Sequence, residues 1–193
     1  MDKKKIAKII SFLLGFVLLP ILVIFLIFKT GLTQNQIKII FPVFTTFIIL
    51  IPLGFLITFK KINRISDWDI RNRQERYLIF SIFLISTLIG LGFTYVFGNS
   101  LLFHLTLILW ISAVVAMIIT HLWKISLHMS LDTSTVIVIN FLFGWHAFYL
   151  FLLLPLIGWA RYYAKHHSLP QLLAGFVINA AIILIGLHYF GYI

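Results

Sequence analysis

Hydrophobic positions along this chain fall in long uninterrupted runs, separated by short polar breaks. The runs cover residues 9–28, 39–59, 77–97, 101–122, 129–143, 146–159 and 172–192. Runs of about 20 apolar residues are typical of membrane-spanning helices. The pattern therefore predicts an all-α fold, a polytopic transmembrane helical bundle of about six to seven spans.

The polar breaks indicate where the helices end. "KTGLTQNQIK" (29–38) and "GNS" (98–100) predict turns, and "KKINRISDWDIRNRQER" (60–76) is the one long polar segment. Residues 129–159 fit either one long span or two short helices joined at "GWH" (144–146). Glycine weakens a helix, and tryptophan and histidine suit the membrane interface. The second reading predicts a short helical hairpin around Gly144–His146.

Composition supports a membrane location. The 193 residues are 62% hydrophobic and 10% charged, whereas about a quarter of the residues in soluble domains are charged. The N-terminal apolar run is too long for a signal peptide and lacks a small-residue cleavage site, so we expect it to be retained as the first span. We expect one integral membrane domain, 1–193, with two N-terminal spans in 1–60.

The basic residues predict an orientation. With seven spans, the 15 lysines and arginines divide 13 to 2 between the two faces, whereas a single 129–159 span gives 11 to 4. An excess of lysine and arginine is typical of cytoplasmic loops. The N-terminus and the face rich in basic residues are therefore expected to be cytoplasmic. The net charge of +10 is explained by basic loops on the cytoplasmic side of the membrane, and no nucleic-acid partner is expected.

Residues 160–175, "ARYYAKHHSLPQLLAG", contain a candidate catalytic group. Arg161 precedes His167 by six residues, and Gln171 follows four residues later. If a helix begins near Pro170, the Gln171 amide oxygen can accept from His167 Nδ1–H and leave Nε2 as a nucleophile. Arg161 supplies a planar cation that suits phosphate. His166 is expected to be an interfacial neighbour.

Two further segments carry compatible groups. Arg76 ends the long polar segment, and His128 lies within "WKISLHMSLDTS" (123–134), where an imidazole can protonate a leaving oxygen. Asp132 either orients His128 or caps the hairpin helix. The chain has no cysteine, which excludes thiolate catalysis and cysteine-based zinc sites. Two arginines and two histidines indicate phosphoryl transfer through a phosphohistidine.

These segments resemble the type 2 phosphatidic acid phosphatases, or lipid phosphate phosphatases, over roughly residues 65–180. That family carries Lys-x6-Arg-Pro, Pro-Ser-Gly-His and Ser-Arg-x5-His-x3-Asp in order. The corresponding residues here are Asp69…Arg76-Tyr77, Ile125-Ser126-Leu127-His128, and Ala160-Arg161…His167…Gln171. Lysine, both prolines, glycine, serine and aspartate of the family pattern are therefore replaced.

The resemblance implies a divergent bacterial-type member in a bacterial or archaeal cell membrane. It implies a metal-independent hydrolase without a cofactor, acting on phosphatidate, phosphatidylglycerophosphate or polyprenyl diphosphate. His167 would be the nucleophile, His128 the general acid and Gln171 the group that orients His167. Phosphate would be held by Arg161, Arg76, Lys124 and Ser126, with Asp69 and Asp132 behind them.

Two other functions stay open from the sequence. The replaced motif residues, Gln171 above all, fit a catalytically silent relative that binds or translocates anionic lipid. Asp67 and Asp69 fit a magnesium site of a prenyltransferase. Alternatively, Ser66 and Asp69 form a capping box, and both aspartates pair with nearby arginines.

Overall fold

The computed structural model describes residues 3–66 and 72–193, and every regular element in them is a helix. The elements in order are α1 (Lys3–Lys29), α2 (Gln34–Phe44), a π-helical turn (Thr45–Leu50), α3 (Ile51–Lys61), α4 (Arg73–Phe97), α5 (Ser100–Leu122), α6 (Leu127–Leu142), a 3-10 turn (Phe148–Leu152), α7 (Leu153–Tyr163) and α8 (Leu169–Tyr189). The predicted all-α fold is confirmed for these residues.

Four helices in the described part of the chain are long and apolar enough to cross a membrane. They are Gln34–Lys61, Gln74–Phe97, Ser100–Leu122 and Leu169–Tyr189, the first of which joins α2, the π turn and α3. Val17–Lys29, Leu127–Leu142 and Phe148–Tyr163 are shorter apolar helices. The membrane character predicted from composition is supported at this level.

Polar residues at the breaks start the helices. Thr33 accepts from the Gln36 backbone N–H, and Gln36 Oε1 accepts from the Thr33 N–H in return. Asn72 and Asn99 accept from first-turn N–H groups of α4 and α5. Such caps satisfy donors that a helix leaves without partners, so each break ends one helix and begins the next.

The first end of the bundle is formed by the turns after α1, α4 and α6. Asn99 Nδ2 donates to the Thr30 carbonyl at 2.6 Å, and Gln36 Nε2 donates to the Gly98 carbonyl at 3.1 Å. Lys29 Nζ lies 4.5 Å from the centre of the Phe143 ring. Because each helix spans the bundle, the ends of α3, α5 and α7 meet at the opposite end.

The chain reverses between α6 and α7 at the predicted position. Gly144 and Trp145 both have positive φ, 59° and 65°, and the Trp145 N–H donates to the Asn140 carbonyl at 2.7 Å. Glycine adopts this conformation without steric cost. The α6–α7 hairpin therefore brings the end of α7 back beside the beginning of α6.

Helix α6 is the innermost element, packed against α1, α5, α7 and α8. Its buried residues include an unusual polar set, namely Ser130, Asp132, Thr133, Ser134, Thr135 and Asn140. Several of these are satisfied within the helix, as Ser134 Oγ donates to the Ser130 carbonyl at 3.1 Å. Burial of such groups places the first turn of α6 deep in the bundle.

Helix α8 approaches the first turn of α6 through Gly175. A Cβ atom built on Gly175 would lie 2.9 Å from the Ser126 carbonyl oxygen and 3.3 Å from Met129 Cβ. Only glycine permits this separation, so the beginnings of α6 and α8 are held together.

Candidate functional site

The turn after α7 directs the candidate histidines back towards Arg161. Lys165 has φ 58°, and its N–H donates to the Tyr162 carbonyl while the His166 N–H donates to the Arg161 carbonyl. This pair of bonds is the Schellman arrangement of a helix C-terminus. Because the chain reverses here, His166 and His167 follow α7 yet stay close to it.

Arg161 and His166 form one contact pair inside the bundle. Arg161 is 2% exposed and His166 is 8% exposed. Arg161 Nη1 lies 3.3 Å from His166 Nδ1, and since guanidinium groups only donate, His166 Nδ1 accepts. The expectation that His166 is merely interfacial is therefore not met, because this side chain holds the arginine.

His167 and Gln171 have the predicted relation. His167 Nδ1 lies 3.1 Å from Gln171 Oε1, and a carbonyl oxygen only accepts, so Nδ1 carries the proton. The Ser168 backbone N–H donates to the same oxygen at 3.1 Å, because Gln171 also closes the capping box of α8. The second nitrogen, Nε2, keeps its lone pair.

Burial lowers the pKa of His167 from its ordinary 6.5 to about 3. The hydrogen bond with Gln171 opposes this change, while Lys124, Arg76 and Arg161 reinforce it. A buried imidazole beside cations disfavours the charged form. His167 is therefore neutral at physiological pH, as a nitrogen nucleophile requires.

The first turn of α6 is tied to that of α8. Ser126 caps α6 by accepting from the Met129 N–H at 3.3 Å, and the Ser126 N–H donates to the Gln171 carbonyl at 3.3 Å. Ser126 is fully buried. Its hydroxyl serves as the helix cap, and its backbone joins the second and third sequence motifs.

His128 lies within electrostatic reach of the other candidates. Its imidazole interacts electrostatically with the side chains of Arg161, His167, Arg76 and His166. The imidazole of His167 interacts in the same way with Lys124. The structure thus brings together side chains that are up to 91 positions apart in the sequence. Three cations and three imidazoles converge, and such a cluster attracts anions.

Arg76 reaches the cluster from the first turn of α4. Its side chain is 6% exposed, and its N–H donates to the Asn72 carbonyl. The adjacent Tyr77 donates to the Thr120 carbonyl at 3.2 Å and stacks on His121. These contacts fix α4 against α5 and so fix the position of Arg76.

Asp132 lies one turn beyond His128 and is fully buried. In the described part of the chain neither carboxylate oxygen has a hydrogen-bond partner, although Arg161 acts on its charge. Ser126 supplies the helix cap that was one of the two alternatives for Asp132. Asp132 interacts electrostatically with Arg161, and the hydrogen bond to His128 that the other alternative required is not formed.

The structure does not describe the aspartates of the possible magnesium site. Asp67, Asp69 and Arg71 lie outside the described residues. Ser66 is described, and it donates through its N–H and Oγ to Glu75 Oε2. Across residues 3–66 and 72–193, no three histidine, cysteine or acidic side chains are grouped to hold a metal ion.

A surface cavity of about 560 Å³ opens beside the cluster. It is lined by Tyr162, Tyr163, Lys165, His166, His167, Ser168 and Gln171. Water and a small polar ligand can therefore reach the imidazole of His167 from this side.

Sequence reasoning missed the contact of His166 with Arg161 and the close approach at Gly175. Glycine is the usual signal for a left-handed helix end, and here a lysine takes that conformation, so the reversal at Lys165 was hidden. Searches of family models, curated proteins and solved structures found no match to this chain.

Proposed function

We propose that this chain is a membrane lipid-phosphate phosphatase that hydrolyses a phosphate monoester or diphosphate through a phosphohistidine. The observation that carries the proposal is a neutral His167 that is oriented by Gln171 and lies within electrostatic range of Arg161, Arg76 and Lys124. A neutral imidazole with a free Nε2 is a nucleophile, and the three cations suit a phosphate dianion.

In the first step, His167 Nε2 attacks phosphorus and the bond from phosphorus to the ester oxygen breaks. Arg161, Arg76 and Lys124 stabilise the negative charge on the phosphoryl oxygens. His128 donates a proton to the leaving oxygen, once the bound anion offsets the neighbouring cations. The products of this step are a phosphohistidine and the alcohol, or the monophosphate when a diphosphate is the substrate.

In the second step, water attacks the phosphohistidine and the bond between phosphorus and Nε2 breaks. His128, now deprotonated, takes the proton from the attacking water. Inorganic phosphate leaves, and both imidazoles return to their starting states. The surface cavity beside His167 supplies the water.

The proposal includes a topology. Seven spans would put the N-terminus, residues 60–76 and the cluster at a cytoplasmic face, with substrate lipid entering from the membrane. The motif order supports a divergent member of the type 2 phosphatidic acid phosphatase superfamily in a bacterial or archaeal cell membrane. No metal ion or cofactor takes part in the proposed steps.

A catalytically silent protein that binds or translocates anionic lipid is the second candidate. Gln171 Oε1 is shared between His167 and the Ser168 N–H, so helix capping alone accounts for its presence. Gln171 also lacks the charge that would stabilise a histidinium. Turnover separates the two candidates, because both would bind the lipid.

The deciding experiment measures phosphate release by purified protein in detergent with EDTA present. Phosphatidate, phosphatidylglycerophosphate and polyprenyl diphosphate are tested separately. We expect release from at least one, and we expect His167→Ala to lower it by several orders of magnitude, as removal of a nucleophile does.

His146→Ala is the matched control, since His146 is exposed in the turn at the opposite end of α6. Its activity should equal that of the wild type. No release from any substrate by folded wild-type protein would favour the silent lipid-binding protein. Release of inorganic diphosphate that appears only when magnesium replaces EDTA would favour the prenyltransferase class.

A further inference from the structure

A second cavity, of about 440 Å³, lies among the helices of the bundle and is partly open to its surface. Helix α1 packs against α6 and α7, while α3 packs against α4, and the cavity occupies the space between these groups. Its wall includes Val23, Leu26, Phe44, Ile48, Phe83 and Trp110. The volume is within the range of small-molecule sites, so a ligand of substantial size can be held there.

The cavity reaches the candidate site. His128 and Arg161, two members of the cationic cluster, also line this cavity. Both side chains therefore border this apolar cavity and also belong to the cluster that would bind a phosphate. One molecule with an anionic head and an apolar body would contact both regions.

Most polar residues of the wall are already satisfied by the protein, whereas Ser130 Oγ has no hydrogen-bond partner in the described part of the chain. Ser112 and Asn179 bond to each other, and Asn179 Nδ2 also donates to the Gly175 carbonyl. Thr87 and Thr106 donate to carbonyls of their own helices at 2.8 and 2.9 Å. Because the hydrogen bonds of these four side chains are made within the protein, the part of the wall that they form presents an apolar surface to a ligand.

The wall is also fixed in shape. Trp110 Nε1 donates to the Leu84 carbonyl at 3.1 Å, and Ser86 Oγ donates to the Phe47 carbonyl at the π turn. π turns are often found at functional sites. Helices α1 to α3 and the π turn, which precede the segments that resemble phosphatase motifs, therefore supply more than a third of the residues that line a preformed chamber.

We propose that this chamber binds the hydrocarbon chain of a phospholipid whose phosphate lies in the cluster of Arg76, Lys124, His128 and Arg161. The inference rests on the proposed function for the headgroup and adds the binding site of the chain. Helices α1–α3 then select the substrate by the length and shape of its chain. Burial of each methylene contributes to affinity, so a lipid binds where inorganic phosphate alone binds weakly.

Tryptophan fluorescence tests this site without requiring turnover. Phenylalanine replaces Trp68, Trp123, Trp145 and Trp159, which leaves Trp110 in the chamber wall. Phosphatidate with brominated chains is added at a low mole fraction in detergent, because bromine quenches indole on contact. We expect saturable quenching that unbrominated phosphatidate reverses by competition.

The position of the bromines supplies a second measurement on the same protein. Trp110 precedes the end of α5 at Leu122 by twelve residues, which is about 18 Å along the helix. Bromines near the methyl end of the chain should therefore quench more strongly than bromines near the carboxyl end. The reverse order would overturn the inference.

Ala113→Phe fills the chamber, since Ala113 lines it, and should weaken lipid affinity about tenfold. Val115→Phe is the matched control, because Val115 lies outside the lining, two positions along α5 and near the exposed Ile111 and Ile118. Equal quenching in both variants, or quenching that does not saturate, would overturn the inference.

The two proposals fail separately. Phosphate release without saturable quenching would reject the chamber as the chain site and keep the phosphatase. Saturable quenching without phosphate release from any substrate would keep the chain site and reject the phosphatase.

Discussion

Gln171 accepts two hydrogen bonds with one oxygen, from His167 Nδ1–H and from the Ser168 N–H. The first bond fixes the tautomer that leaves Nε2 free, and the second closes the start of α8. A neutral amide performs both tasks without raising the pKa of His167 as far as a carboxylate would. The residue therefore explains how His167 stays neutral while its ring is held in one orientation.

Gln171→Glu keeps the oxygen that accepts both hydrogen bonds and adds a negative charge beside His167. A nearby carboxylate raises an imidazole pKa by about 1–3 units, from the present value of about 3 towards 6.5. As the pH falls, His167 then becomes protonated, and loses its nucleophilic lone pair, at a higher pH than in the wild type. We expect the acidic limb of kcat/KM to move to higher pH, measured as phosphate release between pH 3 and 8.

Gln36→Glu is the matched control for that substitution. Gln36 holds the same place in the capping box of α2 that Gln171 holds in α8, and it lies at the opposite end of the bundle. Its pH profile should match that of the wild type. An unchanged profile in Gln171→Glu would mean that Gln171 only caps the helix.

At the scale of elements, the close approach of α8 to α6 sets the relation between the two motifs. Gly175→Ala would bring Cβ to 2.9 Å from the Ser126 carbonyl oxygen, which is backbone and cannot move aside alone. Overpacking of this kind costs about 1–3 kcal/mol. We expect a lower melting temperature and a loss of phosphate release, because His128 and His167 move apart.

Gly158→Ala tests the same chemical change where space is open, since nothing lies within 4 Å of a Cβ at Gly158 in α7. Alanine has the higher helix propensity, so this variant should be as stable as the wild type or more so. If both variants behaved alike in thermal unfolding, the packing at Gly175 would not explain how the motifs are held together.

The elements differ in how well their sequences predicted them. Runs 77–97 and 101–122 match α4 and α5 closely because uninterrupted apolar length has few other structural outcomes. The polar first turns of α4 and α8 were not predicted, because these helices begin at Arg73 and Leu169, before the apolar runs that start at residues 77 and 172. The π turn at Thr45–Leu50 had no signal, because two threonines at its start within an apolar run do not distinguish a π turn from an α-helix.

The site was predictable where one local spacing sufficed. Four residues separate His167 from Gln171, and a helix start places them in contact. The contact of Arg161 with His166 depends on the left-handed turn at Lys165, which a lysine does not indicate. The cap that Ser126 provides is a local bond to the Met129 N–H. The unpartnered carboxylate of Asp132 depends instead on packing among α1, α6, α7 and α8, which no local pattern encodes.

Across the bundle, the charged side chains are divided between the two ends of the helices. The turns that contain Lys29 and Phe143 meet at one end, and Arg76, Lys124, Arg161 and His167 meet at the other. If the bundle crosses the membrane seven times, the basic end lies in the cytoplasm. A phosphatase there would act on lipid of the inner leaflet.

The absence of cysteine makes this topology testable with single substitutions. His146→Cys and Lys165→Cys are both at exposed positions, beyond the two ends of the α6–α7 hairpin. Helix α6 has 16 residues, about 24 Å, so the hairpin crosses a bilayer only if the membrane thins locally. We expect a membrane-impermeant maleimide to label His146→Cys in intact cells, and Lys165→Cys only after permeabilisation.

Labelling of Lys165→Cys in intact cells would indicate the opposite orientation of the bundle in the membrane. If His146→Cys resisted the reagent before and after permeabilisation, the hairpin would enter the membrane and return to the cytoplasmic face. In that case α6 and α7 would not be spans, yet the site would remain on the same side, because the hairpin returns the chain to the same face in either arrangement.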